Sequence, residues 1–157
     1  MSLVNQIKEN LNSALKQKRD LEVSVLRQIL AAVLNAEKDK MFRLGKEEMV
    51  DLTEEEIISI LSSEAKKRRE SIMEFSKGGR QDLVEKENEE LEIIKKYLPE
   101  QMSEKELQKI IEEAIKDTGA KEIKDMGKVM AALMPKVRGR ADGSLVSKIV
   151  KELLTDK

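Results

Sequence analysis

The chain contains no cysteine, no histidine and no tryptophan in 157 residues. Without cysteine there is no disulfide framework, no thiol nucleophile and no thiolate zinc site. Without histidine, a Ser-His-Asp triad, an imidazole base at neutral pH and an imidazole metal ligand are excluded. Catalysis would have to rest on carboxylates, lysines, Tyr97 or a hydroxyl, so no catalytic residue, cofactor or metal is assigned. An oxygen-ligand Mg²⁺ or Ca²⁺ site stays open, but no Asp-rich loop has EF-hand spacing. Aromatic residues are nearly missing too, with one Tyr and two Phe. The core must then be built from Leu, Ile, Val, Met and Ala, which suits helices packed on helices better than a sheet. No run approaches the roughly 18 apolar residues of a membrane span, and residues 1–10 lack a charged-then-apolar signal pattern. The expectation is a soluble cytoplasmic protein with no membrane partner.

What is abundant is charge: 39% of the residues are charged, yet the net charge is −1. With apolar residues recurring at helical spacing, that balance favours a folded, well-solvated all-α protein over a disordered one. Leu3, Ile7, Leu11, Ala14 and Leu15 share one face of a first helix. A second runs from about Leu21, with Leu26, Ile29, Leu30, Val33 and Leu34 as its stripe. Residues 39–52 break the period and read as a loop. Thr53 with Glu56 is a capping-box signature opening a third helix, which Gly78-Gly79 stops. A fourth covers about Asp82 to Tyr97. Pro99 biases Leu98 away from helical angles and marks the best domain boundary, between 1–98 and 99–157. Ser103 with Glu106 opens a fifth helix that ends at Gly119. Asp125 caps a short sixth, which Pro135 terminates, and Asp142 or Ser144 opens the last. The predicted architecture is an N-terminal four-helix bundle followed by a small three-helix C-terminal domain. A unit that small buries little core.

Residues 125–143, DMGKVMAALMPKVRGRADG, depart from this background. They hold three of the seven glycines and one of the two prolines, with Lys128, Lys136, Arg138 and Arg140 interleaved. Helix punctuation explains the glycines, the proline and the acids, but explains the cations less well. Lys136, Arg138 and Arg140 alternate, so an extended backbone would send them the same way. Gly139 would let a phosphate backbone approach, and a helix N-terminus at 142–145 would add amide donors. Charge is also divided into blocks. Lys121 to Lys151 has eight bases against three acids, and Asp82 to Glu113 has eleven acids against five bases. The run Lys66-Lys67-Arg68-Arg69 wraps around a helix turn, so a solvated surface is its default reading and a secondary phosphate or acidic-partner contact its alternative. The acids from Glu85 to Glu92 read as a solvated face, or else as a surface that docks on a basic neighbour. Met126, Met130 and Met134 read as core before interface.

The 125–143 stretch, together with FSKGGRQDL at 75–83 and KKYLPEQMSEKEL at 95–107, resembles the GatB/YqeY-domain family and its stand-alone YqeY-like members. The resemblance covers essentially the whole chain. It implies a larger helical bundle and a small three-helix domain, equivalent to the tail of the B subunit of tRNA-dependent Glu/Asp-tRNA amidotransferases. That tail contacts the tRNA body, so the resemblance implies RNA-binding positions at Lys128, Lys136, Arg138 and Arg140, with Lys148 a possible addition. The chain has no ATP-binding or amide-transfer domain, so the family's carbon–nitrogen ligase label is an inherited one. Two functions follow as expectations: an accessory tRNA-binding module, or an adaptor docking on an amidotransferase or aminoacyl-tRNA synthetase. The scarcity of aromatics points away from base stacking and toward a structured RNA read by shape.

Overall fold

Thr53 and Ser103 each place a side-chain oxygen on the amide three residues ahead, and Glu56 and Glu106 reach back to the Thr53 and Ser103 amides. These two reciprocal capping boxes satisfy amides that a helix start leaves unbonded, and they fix where two of the helices begin. A computed structural model describes residues 1–156. It is all-helical: α1 (Leu3–Lys16), α2 (Asp20–Arg43), α3 (Glu54–Lys77), α4 (Gln81–Lys95), α5 (Glu104–Thr118), a 3-10 turn (Ile123–Asp125), α6 (Met126–Val137) and α7 (Gly143–Thr155). No strand occurs among the described residues.

The fold divides into two compact units, Met1–Leu98 and from Pro99 onward. In the first, Ile7 of α1, Leu26 and Ile29 of α2, Leu61 of α3 and Ile94 of α4 meet in one core and are at most 1% exposed. Tyr97 lies at its edge, 7% exposed, where its hydroxyl accepts a 2.8 Å hydrogen bond from Asn10 Nδ2. The second unit has its own core of Leu107, Ile111, Val129, Leu133, Val146 and Val150. Met126, Met130 and Met134 pack against it, half-buried.

The structure differs from the sequence expectation at several points. The second helix continues through Arg43 and absorbs the first part of the expected loop. Leu15 and Leu34 are each 44% exposed, because a helix turns 100° per residue and the buried stripe passes through Ala14 and Val33 instead. Pro135 does not stop its helix. Proline's fixed φ is helical and its missing amide removes one bond, so α6 runs two residues further and ends where Arg138 takes φ −55°, ψ 122°. Asp125 faces backward: its carboxylate accepts from the amides of Lys121 and Glu122 at 2.9 and 3.1 Å and makes no cap to α6. Asp142, not Ser144, caps α7, accepting from the Ser144 amide at 2.9 Å.

Candidate nucleic-acid interface

The α6–α7 connection is a tight turn. Arg138 has φ −55° and ψ 122°, Gly139 has φ 73°, and the Arg140 amide donates to the Val137 carbonyl at 2.9 Å. Those are the angles and the bond of a type II turn, whose third position favours glycine. Gly139 therefore serves the turn, and it is itself buried. The extended backbone expected for Lys136, Arg138 and Arg140 is absent, because Lys136 lies on the last turn of α6 and Arg138 at the corner.

Arg140 has a structural task. Its Nε donates to the Glu100 carbonyl at 3.0 Å, and its own carbonyl accepts from the Met102 amide at 2.9 Å. Gln101 Nε2 adds bonds to the Gly139 carbonyl at 2.7 Å and the Pro99 carbonyl at 2.9 Å. Residues 99–102 are thus laced to the turn, and Arg140 is half-buried within that lacing. One amide of the expected cradle at the start of α7 is also taken, because the Asp142 carboxylate already accepts from the Ser144 amide.

Four of the predicted positions remain on the surface: Lys128, Lys136, Arg138 and Lys148 are exposed. Lys128 and Lys136 are eight residues apart on α6, about two turns and ~12 Å along its axis. They share an outer face with the exposed Ala131, Ala132 and Pro135. The acids nearby are held by backbone amides. Bonds from Lys121 and Glu122 lower the Asp125 carboxyl pKa, so it stays ionised and oriented toward its own loop.

The run Lys66 to Arg69 does not form a solvated patch. Lys67 is exposed, Lys66 and Arg69 are half-buried, and Arg68 is 8% exposed. Arg68 Nη1 reaches Glu64 at 2.9 Å, its Nε reaches Glu90 at 3.1 Å, Glu87 lies at 4.0 Å, and Nη2 donates to Gln28. This cluster joins α2, α3 and α4 in the first unit. It also corrects the reading of the acidic run, in which Glu90 is 7% exposed and Glu87 half-buried. Burial, and then the neighbouring Glu90, push the Glu87 carboxyl above the usual range against the pull of Arg68 and Lys86. The signals were present in the sequence: Glu64 and Arg68 stand at i,i+4, and Glu87 and Glu90 at i,i+3. A run of four cations concealed that one of them faces inward. Among the described residues, no group of three or more carboxylates is placed to hold a metal ion, and no helix is long and apolar enough to cross a membrane.

A family model described as Yqey-like protein matches residues 4–154. The protein named Altered inheritance of mitochondria protein 41, mitochondrial, from Pyrenophora tritici-repentis is 30% identical over 156 residues, which is 97% of this chain and 81% of that protein. Its namesake in Lachancea thermotolerans is 38% identical over 95 residues, 60% of this chain and 47% of the relative. The Eremothecium gossypii namesake is 34% identical over 92 residues, 59% and 46% respectively. The chain thus matches about half the length of two of these three relatives. All three are named as mitochondrial, which overturns the cytoplasmic expectation. That expectation drew on the missing signal pattern in residues 1–10 and the missing apolar span, and neither distinguishes one aqueous compartment from another.

Proposed function

We propose, because this chain belongs to the YqeY-like protein family, that it is a non-catalytic module whose second unit grips the phosphate backbone of a structured RNA, a tRNA body first among candidates. One observation carries this reading: Lys128, Lys136, Arg138 and Lys148 are exposed, while Asp125 is bonded to backbone amides of its own loop and Asp142 to the Ser144 amide in the first turn of α7. The 121–151 segment therefore exposes seven cations and one acid, Glu122. Phosphate contacts of this kind supply affinity and orientation with little sequence readout. Neither phenylalanine falls after residue 98 and Tyr97 is buried, so the second unit offers no aromatic ring for stacking. Recognition by shape remains. In this reading the architecture is a helical bundle carrying a small tRNA-binding tail, working beside an amidotransferase or an aminoacyl-tRNA synthetase.

The site differs from the one the sequence suggested. Lys128 and Lys136 on α6, with Arg138 at its end, form the gripping edge, and Arg140 holds the turn beneath them. The triple variant Lys128→Ala/Lys136→Ala/Arg138→Ala is expected to bind tRNA at least tenfold more weakly at low salt, with unchanged helical circular dichroism. Its plot of log affinity against log salt should be shallower by about two to three contacts' worth of counterion release. Equal tRNA affinity in wild type and triple variant would refute the proposal.

A further inference from the structure

Gln101 carries no charge and lies outside the 125–143 block, yet it is bonded to the turn that bears Arg138. Its side-chain nitrogen donates to the Gly139 carbonyl at 2.7 Å and to the Pro99 carbonyl at 2.9 Å. Only the nitrogen end of an amide can sit between two carbonyl oxygens, so the orientation of this exposed side chain is fixed. Gly139 is buried, and an acceptor left unpaired at a buried position is costly. The residues on either side of Gln101 also reach the turn. The Met102 amide donates to the Arg140 carbonyl at 2.9 Å, and the Glu100 carbonyl accepts from Arg140 Nε at 3.0 Å. The Gly139–Arg140 half of the turn is thus clamped by a segment 38 residues earlier in the chain.

We infer, on the reading of Lys128, Lys136 and Arg138 as an RNA-gripping edge, that Gln101 is a positioning residue for RNA binding and acts through Arg138. The three cations differ in how their direction is set. Lys128 and Lys136 stand on α6, where the hydrogen bonds of the helix hold the backbone. Arg138 is the first residue past that helix, at φ −55° and ψ 122°, and its backbone direction is set by the turn. What grips Gly139 and Arg140 therefore decides where Arg138 is presented. A cation held in place before RNA arrives loses less conformational freedom on binding than one carried on a mobile turn. The linkage is reciprocal: if the clamp raises RNA affinity, bound RNA tightens the clamp by the same factor. The Met102 amide then reports on RNA, although its hydrogen is already bonded within the protein.

The test is a double-mutant cycle on the full chain, reading tRNA affinity by filter binding at low salt. Gln101→Met keeps the length of the side chain and removes both donors. It should weaken binding about threefold to tenfold, the range of one ordinary hydrogen bond, with unchanged helical circular dichroism. Gln101→Ala, which also lacks the donors, should lose a similar factor. In an Arg138→Ala background the Gln101→Met change should weaken binding by less than about twofold. Hydrogen exchange followed by NMR supplies a second readout. The Met102 amide should exchange faster in Gln101→Met than in wild type, and more slowly in wild type once tRNA is added. An equal loss of affinity in both backgrounds would mean that Gln101 meets RNA directly, and it overturns the proposal. Wild-type affinity in Gln101→Met, or Met102 exchange that tRNA leaves unchanged, overturns it as well. The triple variant Lys128→Ala/Lys136→Ala/Arg138→Ala separates this failure from that of the underlying reading. If the triple variant loses affinity and Gln101→Met does not, the gripping edge stands and the role of Gln101 falls. Equal affinity in wild type and triple variant removes both.

Discussion

Arg68 shows how one side chain can invert the meaning of its neighbourhood. Placed between Glu64 and Glu90 at 2.9 and 3.1 Å, and nearly buried, it neutralises carboxylates that would otherwise be desolvated alone. Removing one partner of such a pair costs about 3–5 kcal/mol. Arg68→Ala should therefore lower stability by about that much in urea unfolding. Replacing Arg68, Glu64 and Glu90 together with Met and Leu should recover most of the loss, since a packed apolar cluster leaves no charge unpaired. Glu87, at the edge of the same cluster, has its carboxyl pushed above the ordinary range. A carboxyl whose folded-state pKa is raised binds its proton more tightly when folded, so its contribution to stability grows as pH falls through that raised range and is lost as pH rises. Glu87→Gln should consequently raise the urea midpoint at neutral pH, and the gap from wild type should close as the solution is acidified. Glu56, Asp82 and Asp125 run the other way: hydrogen bonds from Lys40, Arg80 and the Lys121 amide, respectively, lower their pKa values. Their contribution is present at neutral pH and fades in acid.

At the level of helices and turns, the legible features were the ones encoded locally. Both capping boxes follow from a Thr or Ser three residues before a Glu. The glycine stops follow from positive φ at Gly79 and Gly119, 70° and 67°. Ser103→Ala should lower stability by about 1 kcal/mol through loss of the α5 cap. What stayed hidden was which way a side chain faces. Asp125 and Asp142 are both acids beside a helix start, yet only Asp142 caps α7, while Asp125 bonds the loop behind it. Arg138 and Arg140 are two residues apart, yet one is exposed at the turn and the other is drawn onto the Glu100 carbonyl. The orientation of Arg140 depends on where residues 99–102 lie, some forty positions away in the chain, and no local pattern carries that information. Gly139→Ala tests the turn directly. An L side chain at φ 73° is strained by about 1–2 kcal/mol, so the variant should be less stable and should also bind RNA more weakly by misplacing Arg138.

At the scale of the whole molecule, each unit has a core of its own, and the second is small enough to be marginal by itself. Unfolding should then depart from a single two-state transition. Ile111→Ala, at a fully buried position of the second core, should cost about 2–5 kcal/mol and displace only the part of the circular dichroism curve that reports that unit. Tyr97 provides the means to separate the two. It is the chain's single tyrosine, no tryptophan outshines it, and it sits in the first unit with its hydroxyl on Asn10. Its intrinsic fluorescence is therefore a one-channel thermometer for the first unit, while circular dichroism sums over both. An Ile111→Ala protein whose circular dichroism melts early while its tyrosine signal melts on schedule would show two folding units on one chain, with no label added.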